Sequence, residues 1–238
     1  MKNCLFFSKH NLWSEDLFNK LKKTKSADWR WCSSKEDYDI FNSDENVDWA
    51  FFFHWNHIVP EFIYEKNRCV VLHTSNLPEF RGGSPIQNQI IAGVKESKVN
   101  ALKMVKKIDG GPVYDSKSVS LQGSLTDIWL SISEKSFEII MNCIENEIVP
   151  VSQLSFKKPV KRRKTCEIPV DKISSTAELY NFIRMLDAEG YEKSFVKIGP
   201  LKVILSRAKI IDSKKILTDA IIEWEEDESF SNSSTSRR

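Results

Sequence analysis

Residues 69–114 read CVVLHTSNLPEFRGGSPIQNQIIAGVKESKVNALKMVKKIDGGPVY, and this stretch decides both the fold class and the candidate site. Its apolar start ends at His73, and a turn-rich loop follows as far as Gly83. Ser84 and Pro85 favour a helix start, because Ser is a good N-cap and Pro is tolerated at the first helical position. An ionisable residue at the carboxyl end of a buried strand, beside a Gly-rich loop, is typical of functional sites in open α/β sheets.

Apolar strands alternate with amphipathic helices through the first two-thirds of the chain. Predicted strands cover residues 3–8, 28–32, 47–55 and 69–72, and further strands are predicted at 98–105 and 112–121. The longest helix is predicted from Ser124 to Ile148, and Ser124 with Asp127 forms a capping-box pattern at its start. Strands that alternate with helices predict an α/β fold with a parallel sheet and right-handed crossovers.

The composition of the chain changes after residue 150. We predict a catalytic domain over residues 1–155, a small α+β subdomain over residues 156–225 and a disordered tail over residues 226–238. The basic run FKKPVKRRK, residues 156–164, is interpreted as part of the linker between the domains. This run is either a solvated charge cluster or a contact to a nucleotide diphosphate.

Charge and cysteine content limit the classes of function. The 238 residues carry a formal net charge of +2, which does not favour a nucleic-acid partner. The five cysteines are scattered, and three lie in apolar runs, so we expect reduced core residues and a cytoplasmic location. We find neither a signal peptide nor an apolar run of about 18 residues, so no membrane association is expected.

The stretch around His73 resembles the signature of the folate-dependent formyltransferases, Asn-x-His-x-x-x-Leu-Pro-x-[Phe/Tyr]-Arg-Gly, followed by an Asp in an Asp-x-Gly turn. The matching residues are His73, Leu77, Pro78, Phe80, Arg81 and Gly82, and later Asp109, Gly110 and Gly111. The separation of His73 and Asp109 (109 − 73 = 36) is the one expected in that family. Either feature alone means little, whereas the combination at this separation is specific.

The resemblance implies a Rossmann-like N-terminal formyltransferase domain with a small α+β C-terminal subdomain. It also implies N10-formyltetrahydrofolate as the formyl donor, with His73 and Asp109 as catalytic residues. His73 would manage the proton as the amine attacks the formyl carbon, and Asp109 would orient His73. The residues that would surround the folate are Trp55, Ile58, Val59, Val105 and Ile108.

One position departs from the family pattern. The family Asn stands two residues before the His, and Val71 occupies that position here. A valine side chain cannot stabilise an oxyanion. Alternative donors are a backbone N–H of residues 73–76 or the side chains of Asn56, His57 and Asn76.

The loop sequence Arg-Gly-Gly-Ser-Pro-Ile-Gln-Asn is similar to that of the sugar N-formyltransferase branch, which implies a nucleotide-linked amino sugar as acceptor. Candidate acceptor-binding residues are Asn76, Arg81, Gln87 and Asn88, although for Arg81 the favoured interpretation is an anchor of its loop. Alternatives are a methionyl-tRNA formyltransferase-like enzyme acting on another amine, a formyltetrahydrofolate hydrolase and an inactive binding homologue. His54 and His57 lack a convincing third ligand, so no metal is expected, and a homodimer is plausible.

Overall fold

The computed structural model describes residues 1–42 and 46–225, which divide into two compact units. The first unit is Met1–Arg163 and the second begins at Lys164. The boundary therefore differs from the predicted one after residue 155, since residues 156–163 pack within the first unit. The tail predicted over residues 226–238 lies outside the described residues.

The first unit is built on a six-stranded sheet in the order β2-β1-β3-β4-β5-β6. The strands are β1 (Lys2–Phe7), β2 (Ala27–Cys32), β3 (Trp49–Phe53), β4 (Cys69–Thr74), β5 (Glu96–Lys103) and β6 (Val113–Ser120). The helices are α1 (Leu12–Lys22), α2 (Glu61–Lys66), α3 (Pro85–Ile91) and α4 (Leu125–Glu145). The predicted α/β class with a Rossmann-like sheet is confirmed, and β1 to β4 pair in parallel.

The last two strands, β5 and β6, are antiparallel to their neighbours. Strand β5 begins beside the end of β4, where Thr74 pairs with Val99, and runs back along β4 until Val70 pairs with Lys103. The connection between β4 and β5 contains the 7-residue helix α3.

Helices cover both faces of this sheet. Helices α1 and α4 contact each other, with Trp13 stacked on Trp129 at 5.3 Å. The capping box at Ser124 and Asp127 is present, and the predicted apolar stripe of α4 is buried. On the opposite face, Ile63 of α2 packs in a core cluster with residues of β1, β3 and β4.

The prediction that the cysteines in apolar runs are reduced core residues is confirmed. All five thiols are free. Burial raises the pKa of the thiols of Cys4, Cys32, Cys69 and Cys143 to about 12 in each case. These thiols are therefore uncharged packing groups at neutral pH.

The second unit is a small α+β fold. It contains α5 (Thr176–Arg184) and a three-stranded antiparallel sheet of β7 (Phe195–Ile198), β8 (Leu201–Asp212) and β9 (Lys215–Trp224). Ser175 caps α5 through its side chain, which accepts a hydrogen bond from the backbone N–H of Glu178. Within the described residues of both units, no helix is long and apolar enough to cross a bilayer.

Candidate active site

Backbone strain is concentrated near the carboxyl end of β4 and in the loops that adjoin it. Five non-glycine residues have positive φ in the described part of the chain, and four of them flank this region: His54 (49°), Phe80 (52°), Ser84 (47°) and Asp109 (48°). Such conformations are costly for L-residues and persist only where the surroundings enforce them. This clustering marks the region as a candidate functional site, independently of any motif.

His73 and Asp109 meet in this region. His73 is the fifth residue of β4, and Asp109 lies in the turn that precedes β6. The His73 Nδ1 atom lies 3.5 Å from Asp109 Oδ2, and the two side chains are only 6% and 12% exposed. The same carboxylate oxygen accepts a hydrogen bond from the backbone N–H of Gly82 at 3.1 Å. The structure thus brings together the two groups that the sequence places 36 residues apart.

The environment of His73 keeps its imidazole neutral. Burial lowers the pKa of His73 below its usual value of 6.5, and the charge of Arg81 lowers it further. The carboxylate of Asp109 and a hydrogen bond to the backbone of Phe80 raise the pKa, but burial is the largest influence. The net direction is downward, so the imidazole is uncharged at neutral pH and can accept a proton.

The two ring nitrogens of His73 have different roles. Nδ1 faces Asp109, whereas Nε2 is buried without a hydrogen-bond partner among the described residues. A neutral imidazole that donates from Nδ1 to the carboxylate leaves a lone pair on Nε2. Nε2 is therefore the ring nitrogen whose lone pair is available to accept a proton.

Val71 lies among apolar side chains. The side-chain amides of Asn76 and Asn100, near His73, are already hydrogen-bonded to backbone carbonyls. Val71 packs against the core cluster on the same face of β4 as His73, since side chains alternate along a strand. The Asn76 Nδ2 atom donates to the carbonyl of Glu96 at 2.9 Å. The Asn100 Nδ2 atom donates to the carbonyls of His73 and Ser75. These two amides hold β4 and β5 together at this edge.

Arg81 is an internal anchor and not a surface phosphate contact. Its side chain is 1% exposed, and Nη2 donates to Gln153 Oε1 at 3.1 Å. The guanidinium also lies over the ring of Phe156, 4.5 Å from its centre. Of the two interpretations offered by the sequence, the structural one fits these contacts.

The predicted linker, residues 150–169, includes Gln153 and Phe156, but the structure pairs part of it with the strands and loops around His73. We call residues 151–163 the return segment. Val151 exchanges backbone hydrogen bonds with Val113, and Val160 exchanges them with Arg81 and Gly83. A Cβ on Gly82 would lie 2.7 Å from the Val160 carbonyl oxygen, so the glycine of the Arg-Gly motif allows this close approach.

The five residues predicted to surround a folate are not gathered into one pocket. Ile58 and Ile108 are 78% and 59% exposed. Val59 is buried in the core cluster, and Trp55 packs on that cluster while donating to the hydroxyl of Tyr38 at 2.7 Å. Val105 lines a cavity near the amino end of β4.

This cavity has a volume of about 660 Å³ and lies at the amino end of β4. Its walls come from α2 and the end of β5, and include Tyr64, Val105 and Tyr114. Neither His73 nor Asp109 lines it. The loop that begins at Val105 leads from the cavity to Asp109, so the two places are joined by one short segment of chain.

The remaining predicted acceptor-binding residues differ in whether their side-chain amides already have hydrogen-bond partners. The Asn88 Nδ2 atom donates to the carbonyls of Gly83 and Lys161, so it holds the loop to the return segment. Gln87 is 6% exposed, and its Nε2 atom has no partner among the described residues. Ser84 does not cap α3 through its side chain; its Oγ accepts from the backbone N–H of Arg163.

His54 belongs to an aromatic cluster. The Trp13 Nε1 atom donates to His54 Nδ1 at 3.2 Å, and the His54 ring lies 4.4 Å from that of Trp129. Burial, and then the charges of Lys9 and Arg162, lower the pKa of His54 to about 4. Within residues 1–42 and 46–225, no group of three His, Cys, Asp or Glu side chains could hold a metal ion.

Comparisons with known proteins agree with the two-unit architecture. The sequence model of the formyl transferase family matches residues 33–131. The model of the methionyl-tRNA formyltransferase C-terminal domain matches residues 164–223. The two matches fall in the two structural units.

The curated relatives and the solved structures match different lengths of this chain. The methionyl-tRNA formyltransferase of Malacoplasma penetrans (strain HF-2) is 31% identical over 140 residues, which cover 59% of this chain and 39% of that protein. The chain spans about half the length of the curated relatives it matches.

A solved methionyl-tRNA formyltransferase from Clostridium thermocellum is similar over its whole length. It is 30% identical, with a TM-score of 0.85, over 94% of this chain and 100% of that one. A 4-N formyltransferase from Francisella tularensis has a TM-score of 0.66 over 90% of this chain and 98% of that one. Its identity of 17% indicates a shared fold alone.

Proposed function

Because the chain belongs to the folate-dependent formyltransferase family, we propose that it transfers the formyl group of N10-formyltetrahydrofolate to a primary amine, with His73 as general base. The observation that carries this proposal is the buried pair of His73 and Asp109, with Nε2 of His73 left without a partner. A neutral base of this kind is what the attack of an amine on a carbonyl carbon requires.

The site can move the proton in a balanced way. The amine nitrogen forms a bond to the formyl carbon, and its proton passes to Nε2 of His73. The bond between the formyl carbon and N10 then breaks, and the proton passes from His73 to N10. Asp109 holds the ring through Nδ1 and stabilises the imidazolium that forms transiently.

Val71 stands where the family has an Asn, so one donor to the oxyanion is missing. The protonated ring of His73 supplies part of the stabilisation that this donor would give. Once His73 has taken the amine proton, a positive charge lies beside the developing oxyanion in a buried site. Electrostatic stabilisation is strongest where water is excluded. A reaction that depends on this charge is more sensitive to the position of Asp109 than one with the family Asn in place.

For the acceptor, we favour the aminoacyl end of methionyl-tRNA. The supporting observations are the match of the second unit to the methionyl-tRNA formyltransferase C-terminal domain and the full-length similarity to the Clostridium thermocellum protein. Lys158, Lys161 and Arg162 are exposed on the return segment, next to the Arg81 loop. These cations favour a polyanionic acceptor, although the net charge alone gave no such indication.

A nucleotide-linked amino sugar is the second candidate. It is supported by the loop sequence and by Gln87, whose buried Nε2 atom could donate to a hydroxyl. It is weakened by Arg81, which is buried, and by Asn76 and Asn88, whose amides already bond to backbone carbonyls.

The test is turnover of N10-formyltetrahydrofolate by the whole chain with each acceptor class and with none. The proposal predicts formyl transfer with methionyl-tRNA and no turnover without an amine. Transfer only to dTDP- or UDP-linked amino sugars would support the second candidate. Turnover without an amine would indicate a hydrolase, and folate binding without turnover would indicate an inactive homologue; either outcome would refute the proposed transfer.

A further inference from the structure

The return segment carries one side chain that bonds to both parts of the site. Gln153 lies between the two places where this segment pairs with the rest of the unit, at Val151 and at Val160. The first pairing is to β6, directly after the Asp109 turn, and the second is to the Arg81 loop. Gln153 is half-buried between them.

The amide of Gln153 bonds to three groups. Its Nε2 atom donates to the carbonyl of Asp109 at 2.9 Å and to the carbonyl of Gly111 at 2.8 Å. Its Oε1 atom accepts from Nη2 of Arg81 at 3.1 Å. Both amide hydrogens are therefore used on the Asp109 turn, and the oxygen is used on the Arg81 loop.

The Asp109 turn needs such a restraint. Asp109 has a φ of 48°, a strained conformation that relaxes unless neighbouring groups prevent it. On the other side of the turn, a Cβ on Gly111 would lie 1.7 Å from the carbonyl oxygen of Lys103. The turn is thus held between β5 and Gln153, with its carboxylate directed at His73.

We propose that Gln153 is a positioning residue, whose two N–H donors hold the Asp109 turn so that the carboxylate faces Nδ1 of His73. This inference rests on the proposed function for its kinetic consequence only. Its structural consequence can be measured at His73 without turnover. The charged groups that act on His73 are Asp109 and Arg81, and Gln153 contacts both residues.

Two variants separate hydrogen-bond donation from volume. Gln153→Glu keeps the shape and the acceptor for Arg81 but removes both donors and adds a negative charge, and Gln153→Met keeps the length without polar atoms or charge. Gln122→Ala, at an exposed glutamine before α4, is the matched control. Circular dichroism and thermal unfolding establish that each variant is folded, and the glutamate variant suffices if the methionine variant is not.

We expect kcat to fall about tenfold to a hundredfold in both Gln153 variants, with KM within about threefold, since a displacement of about 1 Å has effects of this size. We also expect the imidazole pKa of His73, followed by NMR, to fall in Gln153→Met, because Asp109 raises this pKa and the variant adds no charge of its own. The acid limb of the kcat/KM profile should move to lower pH by the same amount.

An unchanged His73 titration in folded Gln153→Met, or wild-type kcat in the glutamate variant, would overturn the inference. Absence of turnover in the wild-type protein would instead refute the proposed function, and the NMR titration would still decide the role of Gln153. Equal effects from Gln122→Ala would show that the losses are not specific to the site, and would also overturn the inference.

Discussion

The two ends of β4 have opposite character. At the carboxyl end, His73 and Asp109 are 6% and 12% exposed, and the backbone is strained at Phe80, Ser84 and Asp109. At the amino end, a cavity of about 660 Å³ is lined by charged side chains in contact with solvent. There, the Lys106 Nζ and Glu61 Oε2 atoms lie 3.5 Å apart, and the two side chains are 83% and 46% exposed.

This difference in exposure predicts which end of β4 carries the chemistry. A buried imidazole has a shifted pKa and one well-defined partner, because low exposure strengthens each electrostatic interaction. Exposed ion pairs contribute little to stability and set no protonation state. We therefore expect substitutions at the carboxyl end of β4 to act on kcat and on its pH dependence, and substitutions at the amino end to act weakly on both.

The largest effect is expected from His73→Ala. Removal of the general base should lower kcat by at least about a hundredfold. His10→Ala is the matched control, because the His10 side chain is 64% exposed. Steady-state turnover of N10-formyltetrahydrofolate measures both variants, and less than a tenfold loss in a folded His73→Ala protein would contradict the assignment.

Asp109→Asn should have the next largest effect. It keeps the shape of the side chain but removes the charge that raises the pKa of His73, so kcat should fall about tenfold or more. The sign of the pH effect follows: the pKa of His73 falls further, and the acid limb of kcat/KM moves to lower pH. Asp171→Asn, at an exposed position, serves as control. A shift to higher pH would contradict the proposed geometry.

Charge reversal on the return segment should act on acceptor binding alone. Lys158→Glu with Lys161→Glu should raise KM for methionyl-tRNA about threefold to tenfold at low salt, with kcat unchanged and a smaller effect at high salt. Lys106→Glu, at the amino end of β4, reverses an equally exposed charge and should leave KM for tRNA within about twofold. Equal effects at both ends would remove the functional distinction between them.

The smallest effect is a dependence of stability on pH. The folded pKa of His54 is about 4, below the ordinary value of 6.5, so the folded state binds fewer protons than the unfolded state between these values. The contribution of His54 to the free energy of unfolding is therefore fully present above pH 6.5. This contribution is lost toward pH 4 and amounts to about 1 kcal/mol for this partly exposed ring. Urea unfolding from pH 7 to 4 should show a shallower fall in His54→Gln than in the wild type, with His10→Gln unchanged.

The sequence predicted the parts of the site that leave a local pattern. The strand that ends at His73, the Asp109 turn and the capped helix α4 each follow from apolar runs, glycines and spacing. The predicted parallel pairing holds for β1 to β4, whereas no local pattern marks the antiparallel pairing of β5 and β6.

Gln153 and the return segment left no such pattern. A side-chain amide that bonds to carbonyls 42 and 44 residues away has no periodic signal, and the basic run that follows it resembles a linker. One signal is present: a Gly-Gly pair permits positive φ or the close approach of another backbone, and at Gly82 and Gly83 that backbone is residues 160–162. The exposure of Ile58 and Ile108 could not be derived from their apolar character.

The most direct test of the paired imidazole and carboxylate is the tautomer and charge of His73, measured by ¹⁵N–¹H NMR on the whole chain. With only 4 histidines, the spectrum can be assigned by comparison with His73→Ala. We predict a neutral ring at pH 7, with the proton on Nδ1, a free Nε2 and a pKa below 6.5. A ring that is charged at pH 7, or that carries its proton on Nε2, would contradict the role of His73 as the base.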